Sequence, residues 1–164
     1  MADNKTSSPM PERRHLRRLH SIWLKKPVYF LTVCTAGRRP ILYQPKVAAL
    51  LIKTLHDAPR VHGWIVGRFV IMPDHVHFFC TASSEAKELP AFIKDWKRWT
   101  ARQIEEVTGI PPPIWQLEFF DHVLRSPESY SDKWKYVREN PVRAGLVADA
   151  DAWPHQGECE VLRF

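Results

Sequence analysis

The sequence predicts one α+β domain with the ferredoxin-like element order β-α-β-β-α-β. This is an antiparallel sheet with two helices on one face, followed by a further helix. Three observations predict it. Apolar residues switch between alternation and helical spacing in that order along the chain. Proline and glycine mark most of the switches. The length, 164 residues, suits one domain, and a 45% hydrophobic content with seven Trp and eight Phe supplies a real core.

Residues 1–12 are polar and Pro-containing and read as a loose arm. Residues 13–26 carry Arg13, Arg14, Arg17, Arg18, Lys25 and Lys26, with His15 and His20 between them. Together, 1–26 form a basic N-terminal arm that predicts ordering on a phosphate backbone, with a solvated charged tail as the alternative.

Residues 28–35 read as the first strand, rich in Val, Phe and Thr. Gly37-Arg38-Arg39-Pro40 is a turn. Residues 46–58 read as a helix, with Val47, Leu50, Leu51 and Leu55 at helical spacing, Pro45 at its start and Pro59 just past its end. Residues 64–72 and 75–81 are the second and third strands, joined by a tight Pro73-Asp74 turn that Asp74 serves.

A long helix is expected over 84–107, with Leu89, Phe92, Ile93, Trp96, Ile104 and Val107 as its apolar stripe. Lys94, Lys97, Arg98 and Arg102 occupy its other faces, which are either solvated or the wall of a nucleic-acid groove. Thr108-Gly109 and Pro111-Pro112-Pro113 end it. Residues 114–123 read as a fourth strand. Ser126-Pro127-Glu128 starts the last helix, with a Ser cap, Pro at the first position and an acid in the first turn. That helix is expected to reach about Asn140, where Pro141 stops it. The domain therefore spans 27–147, and 148–164 reads as an irregular tail without chemistry.

The net charge is +6, which points to a polyanionic partner, nucleic acid first. Three cysteines, Cys34, Cys80 and Cys159, fit no zinc or disulfide spacing. That agrees with a reducing cytoplasm. No apolar signal core and no run near 18 apolar residues is present, so no membrane span is expected.

The stretch Met72-Pro73-Asp74-His75-Val76-His77 carries the first candidate chemistry. Residues two apart on a strand share a face, so His75 and His77 would project together with Val76 turned away. Two converging imidazoles make half of a metal site, although a simple pair of strand histidines is the bland reading.

On the last helix, Tyr130, Trp134 and Val137 form the core stripe. Tyr136, two residues from Trp134, points roughly 200° away. Lys133 lies one turn back and Asn140 one turn on, so the three share a face. The plain alternative is an exposed surface tyrosine.

A histidine pair, an off-core tyrosine and a basic chain together suggest phosphoryl transfer on DNA. A metal would polarise a phosphate oxygen, and Tyr136 would be the nucleophile. A free phenol has a pKa of about 10 and needs activation by metal or nearby positive charge, such as Lys133 or Arg138. Asn140 would add an oxygen ligand. Two nitrogens and an amide oxygen with open positions suit Mg²⁺ or Mn²⁺ better than a closed zinc site.

The stretch 72–77 together with Tyr136-Val137-Arg138-Glu139-Asn140-Pro141-Val142-Arg143-Ala144-Gly145-Leu146-Val147 resembles the single-tyrosine transposases of the HUH endonuclease superfamily. Within it the chain resembles the REP-associated tyrosine transposases, and Phe119-Phe120-Asp121-His122-Val123-Leu124-Arg125-Ser126 resembles their segment before the tyrosine helix. The resemblance covers roughly 27–147. It implies a metal-dependent single-stranded DNA endonuclease and strand transferase acting at hairpin-forming, REP-like sequences. Under it His75, His77 and Asn140 hold the metal, and Tyr136 makes a 5′-phosphotyrosine link.

Arg13, Arg14, Arg17 and Arg18 would grip the hairpin, with Lys97, Arg98, Arg102, Arg125 and Lys133 as further DNA contacts. Asp121, His122 and Arg125 position phosphate or form a structural pair, and His122 is a minor competitor for the metal. The tail at Trp153-Pro154-His155-Gln156 departs from this branch. A monomer acting at the nucleoid is expected. Two other readings stand beside this one: a hairpin-DNA-binding protein of the same fold that does not cut, and an RNA-binding sheet that stacks bases on exposed aromatics such as Phe78 and Phe79.

Overall fold

The computed structural model describes residues 26–164, so the arginines of the N-terminal arm, Arg13 to Arg18, lie outside the described residues. Its elements in chain order are β1 (Val28–Cys34), α1 (Pro45–His62), β2 (Trp64–Ile71), β3 (His75–Ala82), α2 (Leu89–Thr108), β4 (Phe120–Leu124), α3 (Pro127–Arg138), α4 (Asn140–Arg143) and β5 (Gln156–Glu158). The five strands form one antiparallel sheet in the order β4-β1-β3-β2-β5. The predicted ferredoxin-like core is present, with one added edge strand.

Alternation along the strands divides the protein into two cores. Leu31, Val33, Val76, Phe78 and Cys80 face α1 and α2 and pack with Leu51, Leu55, Phe92 and Trp96. Val28, Phe30, Val70 and Phe79 face the other way, against Tyr130 and Val137 of α3. The buried indole N–H groups of the first core are paired, as desolvation requires. Trp96 Nε1 donates to Thr54 Oγ1 at 2.9 Å, and Trp115 Nε1 donates to Thr100 Oγ1 at 2.9 Å. Among the described residues no helix is long and apolar enough to cross a membrane.

Several boundaries differ from expectation, each for a local reason. Helix α1 runs through Pro59 to His62, because Gly63 (φ 75°) takes the left-handed cap and its N–H closes on Pro59 O at 3.1 Å. Gly63 is also fixed by close approach, since a Cβ there would meet Ala86 Cα at 2.7 Å. Helix α2 starts at Leu89, not 84. Pro90 belongs in a first turn and cannot continue a helix from before it.

The expected strand over 114–123 shortens to β4. The ammonium of Lys97 gathers the carbonyls of Gln116, Leu117 and Glu118 at 2.9, 3.0 and 2.9 Å, so those groups are not in a ladder. The last helix breaks at Glu139 into α3 and α4, with Pro141 in the first turn of α4.

The tail is a docked element, contrary to its reading as irregular. Trp153 is buried in the second core, and its Nε1 donates to Ile71 O at 3.0 Å. Ile71 N donates to His155 O at 2.8 Å, and β5 then pairs with β2. Arg68 reaches Glu158 at 3.3 Å, and Arg138 pairs with Asp151.

Candidate functional site

The turn between β2 and β3 ends where β3 begins, so both histidines lie at the sheet's edge row with their side chains on the α3 face. His77 is in register with Thr32 of β1, and His75 with Cys34. The two Nε2 atoms stand 3.0 Å apart. Each ring is fixed from behind. His75 Nδ1–H donates to the Asp74 carboxylate at 2.7 Å, and His77 Nδ1 is 2.8 Å from Thr32 Oγ1. Phe30 stacks on the His77 ring at 5.3 Å.

Asp74 does more than shape the turn. Its other carboxylate oxygen pairs with Arg38 Nε at 2.9 Å, and its carbonyl accepts from Thr35 N at 2.9 Å. Arg38 reaches it from a left-handed conformation, φ 55°, which costs a non-glycine residue of order 1 kcal/mol. Sequence reasoning missed this relay. The only signal was the Gly37-Arg38-Arg39-Pro40 turn, whose destination is set by tertiary contact.

Both imidazoles are held neutral. Burial pushes His77 down to about 3, helped by His75, Arg38, Lys133 and Arg143. Burial also lowers His75, against the opposing pull of Asp74. A neutral His75 that donates from Nδ1 keeps its Nε2 lone pair for a ligand. The Thr32 hydroxyl both donates and accepts, so it supports either tautomer of His77.

This donor set fits a divalent cation at the Nε2 pair, with the second-sphere bonds that metal-binding histidines usually have. Among the described residues no group of three His, Cys, Asp or Glu side chains is placed to hold a metal. His122 does not join the pair. It is in register with Phe30, a step along β1 from Thr32.

Helix α3 delivers the tyrosine. Ser126 caps it, accepting from Ser129 N at 3.1 Å, and Tyr130 and Val137 anchor its inner face. Tyr136 is 63% exposed, off the core stripe as expected. Lys133, one turn back, stands 5.2 Å over the Phe30 ring. The break at Glu139 puts Asn140 on α4, yet one residue ties it to the tyrosine. Arg143 Nη2 donates to Tyr136 O at 2.7 Å and to Asn140 Oδ1, while its guanidinium carbon lies 4.0 Å from the Tyr136 ring centroid. Arg143 was not singled out from sequence. It follows a helix break that periodicity does not reveal.

The other cations separate. Arg125 is exposed just past β4, and Lys133 lies on α3 over Phe30. Lys97 is not a free cation, because it holds the 116–118 carbonyls. Arg98 pairs with Asp95 at 3.1 Å, and with Arg102 it lines a cleft of about 670 Å³ between α1 and α2, on the opposite layer from the histidines. Phe78 and Phe79 are fully buried, which removes the aromatic face that base stacking on the central strands would need.

The model of the family described as "Transposase IS200 like" matches residues 24–134. The match contains both histidines and ends two residues before Tyr136. A REP-associated tyrosine transposase of Escherichia coli K12 is 27% identical over 136 residues, covering 80% of this chain and 76% of that protein. A solved structure of a REP-associated tyrosine transposase bound to a REP hairpin shares the fold, with a TM-score of 0.66 at 22% identity over 86% of this chain and 82% of that one. A solved structure from Deinococcus radiodurans superposes with a TM-score of 0.55 at 23% identity, covering 71% of this chain and 92% of that one.

Proposed function

We propose a function on one premise: the chain belongs to the IS200-like transposase family. It cuts and transfers single-stranded DNA beside a hairpin-forming, REP-like sequence, through a covalent link to Tyr136. The observation that carries this reading is the 3.0 Å convergence of His75 and His77 Nε2 on the face that α3 covers with its exposed tyrosine. The name of the Escherichia coli relative and the hairpin held by the similar structure support the choice of substrate.

In this reading His75, His77 and the Asn140 amide oxygen would hold Mg²⁺ or Mn²⁺. When bound, the ion would offset charge on a non-bridging phosphate oxygen. Tyr136 Oη, losing its proton, attacks phosphorus. The Oη–P bond forms as the P–O3′ bond breaks, and the leaving 3′ oxygen takes up a proton. The products are a 5′-phosphotyrosine and a free 3′-OH. Attack on that link by a 3′-OH reverses the bonds, restores the phenol and completes transfer.

Arg143 fixes the Tyr136 ring, and Lys133 adds positive charge to the same face. The active unit is taken as a monomer, acting at the nucleoid in the cytoplasm.

The test is a denaturing gel of the protein incubated with hairpin single strands from the flanks of its own gene, with Mn²⁺. The expected result is a slow protein–DNA band that requires metal and disappears in Tyr136→Phe. Binding without an adduct, across several hairpins and both metals, would replace this reading with a DNA-binding protein that does not cut.

A further inference from the structure

On the α3 face of the sheet, His77, Thr32 and Phe120 form one row across three strands. Thr32 is in register with both His77 of β3 and Phe120 of β4. Directly opposed residues share a face, so Phe120 lies two strand spacings, about 10 Å, from His77 on the same surface. The next row, Phe79, Phe30 and His122, is closed at its first two positions. Tyr130 packs on Phe79 at 4.7 Å, and Lys133 covers Phe30. Phe120 itself stays 57% exposed.

Phe120 thus turns an aromatic face to solvent on the His77 row. Lys133, 5.2 Å over the Phe30 ring, and Arg143, 4.0 Å from the Tyr136 ring centroid, bring positive charge to this side of the sheet. Arg125 is exposed at the far end of β4. An aromatic face beside cations is how single-stranded nucleic acid is held without reading its sequence: phosphates meet the charge and a base meets the ring.

We propose that Phe120 is a stacking platform for a base of the single strand that flanks the scissile phosphate. This rests on the functional reading above, because it takes the strand to cross the His75–His77 row. The ring orients the strand across β4 toward Tyr136. It tolerates any base, since every base offers a π-face.

The test uses hairpin oligonucleotides from the flanks of the gene with a short single-stranded extension, carrying 2-aminopurine at each extension position in turn. Binding and 2-aminopurine quenching are measured in a Tyr136→Phe background, where no strand is cut. The expected result is quenching at one position that is lost in Phe120→Ala and kept in Phe120→Trp. Affinity for the extended probe should fall about 5- to 150-fold in Phe120→Ala, and affinity for the bare hairpin should not change.

Phe120→Leu keeps the bulk and controls for folding. Full quenching and affinity in Phe120→Ala, or rescue by Phe120→Leu as good as by Phe120→Trp, overturns the proposal alone. Failure of the extended probe to bind at all overturns it together with the functional reading. Phe120-dependent binding without an adduct in the parent protein supports the platform and overturns only the cutting step.

Discussion

His75 and His77 face each other through Nε2 at 3.0 Å because each is gripped at Nδ1, by Asp74 and by Thr32. Thr32 is the cleaner grip to remove. Thr32→Val keeps β-branching and volume on the strand and deletes only the hydroxyl. Mn²⁺ affinity, measured by calorimetry or by the Mn²⁺ spin resonance signal, should weaken about 10- to 100-fold. An unchanged Kd would mean that strand geometry alone orients His77.

Arg143 joins Tyr136 to Asn140 across the break between α3 and α4. In Arg143→Gln the rate of adduct formation in single turnover should fall about 100-fold, the scale of a small misplacement of a nucleophile. Arg143→Lys should not restore it, because an ammonium lacks the planar fork that serves two acceptors and a ring face. Arg143 is exposed, so thermal stability should change by no more than about 0.5 kcal/mol. A large loss of stability with unaltered chemistry would make the residue merely structural.

Trp153 ties the tail to the sheet beside the β2–β3 turn. Trp153→Ala removes a buried ring and the hydrogen bond to Ile71 O. Urea unfolding should show a loss of about 3–5 kcal/mol. A loss below about 1 kcal/mol would show the tail to be an ornament on a self-sufficient domain.

His62 at the end of α1 lies against Phe92, with ring centroids 5.0 Å apart, and its buried Nδ1 has no hydrogen-bond partner among the described residues. Burial and then Lys87 lower its pKa below 6.5. Below pH 6.5 the unfolded chain takes up a proton there that the folded chain resists. Stability is therefore full above 6.5 and falls as pH drops toward the folded value. His62→Phe should lose less melting temperature than the parent on going from about pH 7 to about pH 5. An equal loss in both would assign the acid sensitivity to the other buried histidines.

Much of this was written locally. Alternation placed Val76 opposite its two histidine neighbours, and the Ser126 cap and helical spacing turned Tyr136 off the core stripe. These features depend on residues within a turn or two, where period and capping chemistry act directly. The order of elements followed for the same reason.

The rest joins residues far apart in sequence, and no local pattern encodes such a meeting. Arg38 reaches Asp74, Lys97 collects the 116–118 carbonyls, Trp153 docks at Ile71, and Phe120 stays exposed. A long side chain chooses its partner by what the folded chain brings within reach, and an unmet carbonyl or carboxylate away from water determines which choice is stable. The sequence by itself determined the two histidines, the tyrosine and the strands and helix that present them. Only the tertiary structure decided how the imidazoles are aimed, which cations lie on their side of the sheet, and that the tail belongs to the fold.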